Sequence, residues 1–244
     1  INNDLKHPNF KLINSNFRYL KNFLEMEEVT KIDGLLADLG VSSYQFDVPE
    51  RGFSTRHEGR LDMRMYENST LSADDVINEY SEDDLANLLY RYGELRNSRK
   101  IAKNIVIARK NSRLNTTTDL KSVIIGLVPE RYRNQFLARV FQAIRIEVND
   151  EISALEEMLL SAVELLNPAG RLVVISYHSL EDRLVKNIMK KGSLSGILQK
   201  DFFGNPLKTL KEINRKVIVP SQYEIKENSR ARSAKLRIGE KIYD

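Results

Sequence analysis

Apolar positions along this chain follow two rhythms, and the change from one to the other divides the sequence. Phe10–Phe17 reads as a short strand, and Phe17, Leu20, Phe23 and Leu24 then recur at helical spacing. Ile32–Leu39 is a nearly continuous apolar run, the pattern of a strand covered on both faces. Strand, helix, strand in that order predicts a parallel sheet. From 71 to 137 the rhythm is helical throughout. Ser72 and Ser81, each followed by acids, have the form of helix starts, and Thr118-Asp119 opens a further helix. Leu85, Leu88, Leu89 and Tyr92 form one apolar stripe; Ile101, Ile105 and Ala108 form another. Sheet-type signals then return: a long helix over Val148–Leu166, a turn at Asn167–Gly170, a β-branched strand over Arg171–Ser176 and a helix capped by Ser179 with Asp182. Lys216–Val219 and Ala234–Ile238 read as closing strands. The expected organisation is an α/β core from 1–70 and 138–244 with a helical insertion over 71–137.

With 244 residues, 41% of them hydrophobic, the chain can bury a substantial core plus a smaller domain. Cysteine is absent, which excludes disulfides and thiolate metal sites and fits a reducing compartment. No stretch approaches the roughly 20 apolar residues of a membrane span, so a soluble cytoplasmic protein with no membrane partner is expected. The net charge of +4 hides an asymmetry: Arg91–Arg145 holds thirteen Lys/Arg against three acids, leaving the remainder at −6. Such a surplus suits a polyanion, because phosphate contacts release counterions, although it equally suits a solvated helical face.

Candidate chemistry gathers after two strands. Asp38 ends the first apolar run and is followed by Gly40, Ser42 and Ser43, the way an open α/β sheet delivers an acid to its carboxyl edge. Its carboxylate could accept from a cofactor's amine or from a target base. Tyr177 and His178 follow the second strand and could stack on a flipped base. A Ser/His hydrolase is disfavoured because no G-x-S-x-G elbow occurs. The P-loop and the dinucleotide fingerprint are missing too. His7, His57 and His178 are far apart and lack ligand spacing, so no metal site is expected. Arg51, Arg56, Arg60 and Arg64 suit either phosphates or ion pairs with Glu50, Glu58, Asp62 and Glu67. Arg230, Arg232, Lys235 and Arg237 alternate with small or apolar residues, as on a strand with one charged face.

Five blocks in order, Ile32–Ser43, Arg51–Ser54 with Leu61–Met65, Arg139–Ile146, Ser176–Arg183 and Ser229–Arg237, resemble the bacterial 16S rRNA cytosine-N4 methyltransferases from about Phe10 to Ile238. The resemblance implies a class I, Rossmann-like methyltransferase core carrying a helical insertion that recognises RNA. It implies S-adenosyl-L-methionine as methyl donor, held by Phe17, Asp38 and Gln45; the residues expected at the reacting centre are Asp38, Tyr177 and His178. The expected RNA contacts are Arg99, Lys100, Lys103, Arg109, Arg139, Arg230 and Arg232. The implied partner is 16S rRNA within a partly assembled small ribosomal subunit, and the resemblance also allows a homodimer. Asn134–Leu137 stands where a His-Pro-containing segment is usual. The family's first strand and Gly-Gly-His-type loop have no counterpart here, and the natural protein is expected to carry residues ahead of Ile1. The alternative is a noncatalytic RNA-binding or assembly factor built on the same fold.

Overall fold

The computed structural model describes residues 9–242, arranged as two compact units. One contains the described residues up to Leu39 and from Ile152 onward; the other is Gly40–Glu151.

The first unit is α/β. Its helices are α1 (Leu20–Met26), α8 (Glu151–Leu165, entering from the other unit), α9 (Ser179–Lys191) and α10 (Gln222–Glu227), and its strands are β1 (Ile32–Asp38), β2 (Leu166–Ser176), β3 (Leu210–Glu212) and β4 (Lys235–Lys241). Strand order is β1-β2-β4-β3, with β1 and β2 parallel and the other two pairings antiparallel. The sheet is therefore mixed, where the strand–helix–strand rhythm alone predicted a parallel one. Leu155, Leu159, Leu172, Val174, Val185 and Ile188 form its core, joining α8 and α9 to the strands.

Several local expectations change. Phe10–Phe17 makes no strand: Phe10, Leu12 and Ile13 are exposed, and no described residue offers them a ladder. Among the described residues β1 is an edge strand and is not covered on both faces, with Leu36 70% exposed. The long helix over 148–166 is broken at Asp150, whose left-handed backbone (φ 47°) ends one helix and lets α8 begin. The Asn167–Gly170 turn lies inside β2, where the register jumps from Ile32↔Leu166 to Gly34↔Arg171 and Asn167 donates to Asp33 at 2.8 Å. Of Lys216–Val219 only Ile218 bridges to β4.

The second unit is helical: α2 (Ser43–Asp47), α3 (Ala73–Glu79), α4 (Glu82–Gly93), α5 (Ser98–Asn111), α6 (Thr117–Ile124) and α7 (Arg133–Asn149). It contains the expected 71–137 interval and extends beyond it on both sides. Ser72 and Ser81 cap α3 and α4 as their sequence suggests, with Ser72 and Asp75 closing a reciprocal capping box. For α6 the box is Thr116 with Asp119, two residues ahead of the expected start. Leu85, Leu88, Leu89, Ile101, Ile105, Phe136, Val140 and Ile144 fill the core. Each such aliphatic side chain contributes roughly 1.5–3 kcal/mol when fully buried. Gly93 stays helical, and a Cβ there would stand 3.0 Å from the Arg139 carbonyl, so the glycine permits close approach of α4 and α7.

Candidate active site and RNA-binding surface

β1 and β2 run parallel, so Asp38 and Tyr177 reach the same carboxyl edge. Asp38 pairs with Ile175 in the ladder, and Leu39 N–H donates to the Ile175 carbonyl at 3.0 Å. The Tyr177 hydroxyl donates to Asp38 Oδ1 at 2.8 Å. Burial of the phenol, followed by this hydrogen bond and the negative charge of Asp38, pushes the Tyr177 pKa up to about 12. At neutral pH the tyrosine is therefore a donor and not a base. Its proton satisfies one acceptor position of an otherwise exposed carboxylate, leaving Oδ2 for an amine.

His178 has a different task. It is the N-cap of α9: its Nδ1 accepts from Glu181 N–H at 3.4 Å. The buried Glu181 carboxylate receives Tyr177 N–H at 2.8 Å and His178 N–H at 3.3 Å. The cap thus lies one residue before the expected Ser179, because Glu181, and not Asp182, closes the box. With its ring folded into this cap, His178 is not presented as a stacking platform. Glu181 is the residue that sequence reasoning undervalued: the signal was a glutamate three residues after a polar residue, hidden by the overlapping Ser179/Asp182 register. Asp182 instead pairs with Arg237 at 2.7 Å and Lys235 at 3.4 Å.

The cofactor candidates divide between the units. Phe17 opens a short 3-10 turn before α1 and is 43% exposed, leaving a ring face available to a ligand. Gln45 lies in the helical unit, where its Oε1 accepts from Ser42 N–H at 2.9 Å and Ser42 Oγ caps α2. Its side-chain NH2 remains for a ligand.

Arg51–Met65 is an ordered loop built largely by its own ion pairs. Arg51 meets Glu67 at 2.7 Å and Arg64 meets Asp62 at 2.8 Å, whereas Arg56 and Arg60 have no side-chain partner among the described residues. Asn149 of α7 clamps the loop, donating to the Met63 carbonyl at 2.7 Å and accepting from Met65 N–H at 2.6 Å. Sequence reasoning did not single out Asn149, since nothing local marks a helix-terminal asparagine as a long-range clamp.

Among the basic candidates, Arg99, Lys100, Lys103 and Arg139 are exposed on the helical unit. Arg109 points elsewhere: it donates to the Ile77 and Tyr80 carbonyls at 2.6 and 2.5 Å, closing the end of α3. Arg230 and Arg232 lie exposed on a 3-10 turn, not on the expected strand, and β4 begins at Lys235. His57 is exposed, and His7 lies outside the described residues. No helix among the described residues is long and apolar enough to cross a membrane.

Residues 3–242 match the model of the MraW methylase family. Proteins named ribosomal RNA small subunit methyltransferase H are similar over most of the chain. The one from Bacteroides thetaiotaomicron is 53% identical over 98% of this chain and 79% of its own length. That from Flavobacterium johnsoniae is also 53% identical, covering 98% and 79%, and that from Amoebophilus asiaticus is 51% identical, covering 96% and 76%. The acid-ended parallel strand pair is accordingly part of a Rossmann-like class I methyltransferase fold. From the carboxyl-edge acid, the ordered arginine loop and a match spanning nearly all its residues, the chain belongs to the MraW methylase family.

Proposed function

We propose that this methylase transfers a methyl group from S-adenosyl-L-methionine to N4 of a cytosine in the decoding region of 16S rRNA, acting in the cytoplasm on a partly assembled small subunit. The observation that carries the reading is the Tyr177–Asp38 hydrogen bond at the carboxyl edge of the parallel strands. The donor supplies a methyl group already activated on a sulfonium, so the chain's own contribution is alignment and proton handling. Cytosine's exocyclic amine is a weak nucleophile because its lone pair is delocalised into the ring. A carboxylate accepting one N–H localises that pair and takes the proton released on methylation. Asp38 has the chemistry for this when directed at the base, and for anchoring the donor when directed at the cofactor; the family pattern favours the cofactor, with Phe17 and Gln45. Tyr177 sets the Asp38 geometry, and Glu181 fixes the backbone that presents Tyr177. Arg99, Lys100, Lys103 and Arg139 supply an exposed cationic surface for RNA phosphates. Methylase membership and the relatives' enzyme names favour this reading over a noncatalytic assembly factor.

The test is transfer of labelled methyl from S-adenosyl-L-methionine to unmodified small subunits, followed by nucleoside mass spectrometry. N4-methylcytidine is expected with the wild type. Asp38→Ala should abolish cofactor binding or turnover while RNA affinity persists. RNA binding without any transfer would sink the enzymatic reading, and unchanged turnover in Asp38→Ala would remove the role given to that carboxylate.

A further inference from the structure

Two of the surface clefts on the helical unit contrast in chemistry. One, of about 390 Å³, is lined by Tyr80, Asp84, Arg91 and Glu147 among others. Several of its polar groups are committed to neighbours: the Tyr80 hydroxyl donates to Glu147 at 2.9 Å and Ser81 donates to Asp84 at 2.7 Å. Acids outnumber bases there, which disfavours an anionic ligand. The other, of about 310 Å³, forms where the segment after α4 meets the start of α7.

This second cleft has Phe136 buried at its base and Tyr132, 47% exposed, on its wall. Arg131 stands 4.7 Å from the Tyr132 ring centroid, a cation–π contact that steadies the ring. Asn97 and Gln135 also line it, and neither side-chain amide has a partner among the described residues. Arg96 and Arg139, both exposed, outnumber its one acid, Glu94.

We infer that this cleft holds one unpaired nucleotide of the RNA substrate, distinct from the target cytosine, with its base stacked on Tyr132. The inference rests on the proposed rRNA methylation and specifies how the helical unit grips its substrate. Each component matches a part of a nucleotide. An aromatic face accepts any base by stacking, while side-chain amides offer a donor and an acceptor to a base edge. Arginines take the phosphates, and unstacked bases are what proteins read in folded RNA. The cleft's size falls at the low end of small-ligand sites, about 300–1,000 Å³.

The test is fluorescence anisotropy of the full-length protein with a fluorescein-labelled single-stranded oligoribonucleotide, with transfer to small subunits measured alongside. Tyr132→Ala should weaken RNA binding by roughly five- to a hundredfold, the range of one lost base–aromatic stack. Tyr132→Phe should restore it, and both variants should bind S-adenosyl-L-methionine as the wild type does. Arg139→Gln should flatten the salt dependence by about 0.7 in log–log slope, the signature of one lost single-strand phosphate contact. Wild-type affinity in Tyr132→Ala, or failure of Tyr132→Phe to restore binding, overturns the inference. If transfer proceeds while Tyr132→Ala binds normally, the cleft assignment falls and the methylation reading stands. If Tyr132→Ala loses RNA but the wild type transfers no methyl, the cleft stands and that reading falls.

Discussion

Tyr177 meets two influences of the same sign, since desolvation and the Asp38 carboxylate both oppose phenolate formation. Its folded pKa of about 12 exceeds the ordinary 10, so this stabilisation is complete below pH 10 and is lost as pH rises toward 12. Ultraviolet titration should show two tyrosines ionising late, Tyr177 and the Glu147-bonded Tyr80, and Asp38→Asn should move one of them back toward the ordinary value; two unchanged late titrations would contradict the pairing. Asp182 is the opposite case. Burial raises its pKa, but the Arg237 hydrogen bond and charge, with Lys235, outweigh burial and hold it below 3.8. Its contribution is therefore present above the usual carboxylate range and disappears as pH falls through the depressed value. Arg237→Ala leaves a largely buried carboxylate without its main partner, at a cost of about 1–3 kcal/mol in denaturant unfolding. At this scale Asp38 was legible, because an acid ending an apolar strand has few other places to go. The division of labour between Tyr177 and His178 was not legible, because it depends on which of two overlapping cap registers α9 adopts.

Among the elements, the Arg51–Met65 loop combines its own ion pairs and a tight turn with a clamp from Asn149, remote in sequence. Gly52 has φ +70°, and a Cβ there would lie 2.0 Å from the Arg60 carbonyl. Gly52→Ala should cost at least the roughly 1–3 kcal/mol of a strained backbone position. Asn149→Ala should leave α7 helical by circular dichroism yet expose the loop to proteolysis, since two of its backbone groups lose their clamp. Equal cleavage rates in variant and wild type would mean that the loop is held by its ion pairs alone. Helix starts at Ser72 and Ser81 were readable because capping is local chemistry. The break at Asp150 carried no such marker: an aspartate with positive φ looks like any acid in an apolar rhythm.

Considering the whole molecule, charge and fold class answer to different scales of information. The basic surplus over 91–145 predicts RNA affinity that falls steeply with salt, and Lys100→Gln with Lys103→Gln should lower the single-strand slope by about 1.4, at roughly 0.7 per lost contact. An unaltered slope would leave those lysines as a solvated face. Composition, periodicity and motif order by themselves determined the α/β core, the helical segment, the acid at the carboxyl edge and the excess of positive charge, since each is a property of neighbours along the chain. Only the tertiary structure decided that the sheet is mixed, that Phe10–Phe17 forms no strand, that Arg109 serves a helix end, and that Tyr177 donates to Asp38. Those outcomes turn on which groups meet after folding. Hydrogen bonds and burial are settled by partners that lie 29 to 139 residues apart in these cases, and no local pattern encodes a partner at that distance.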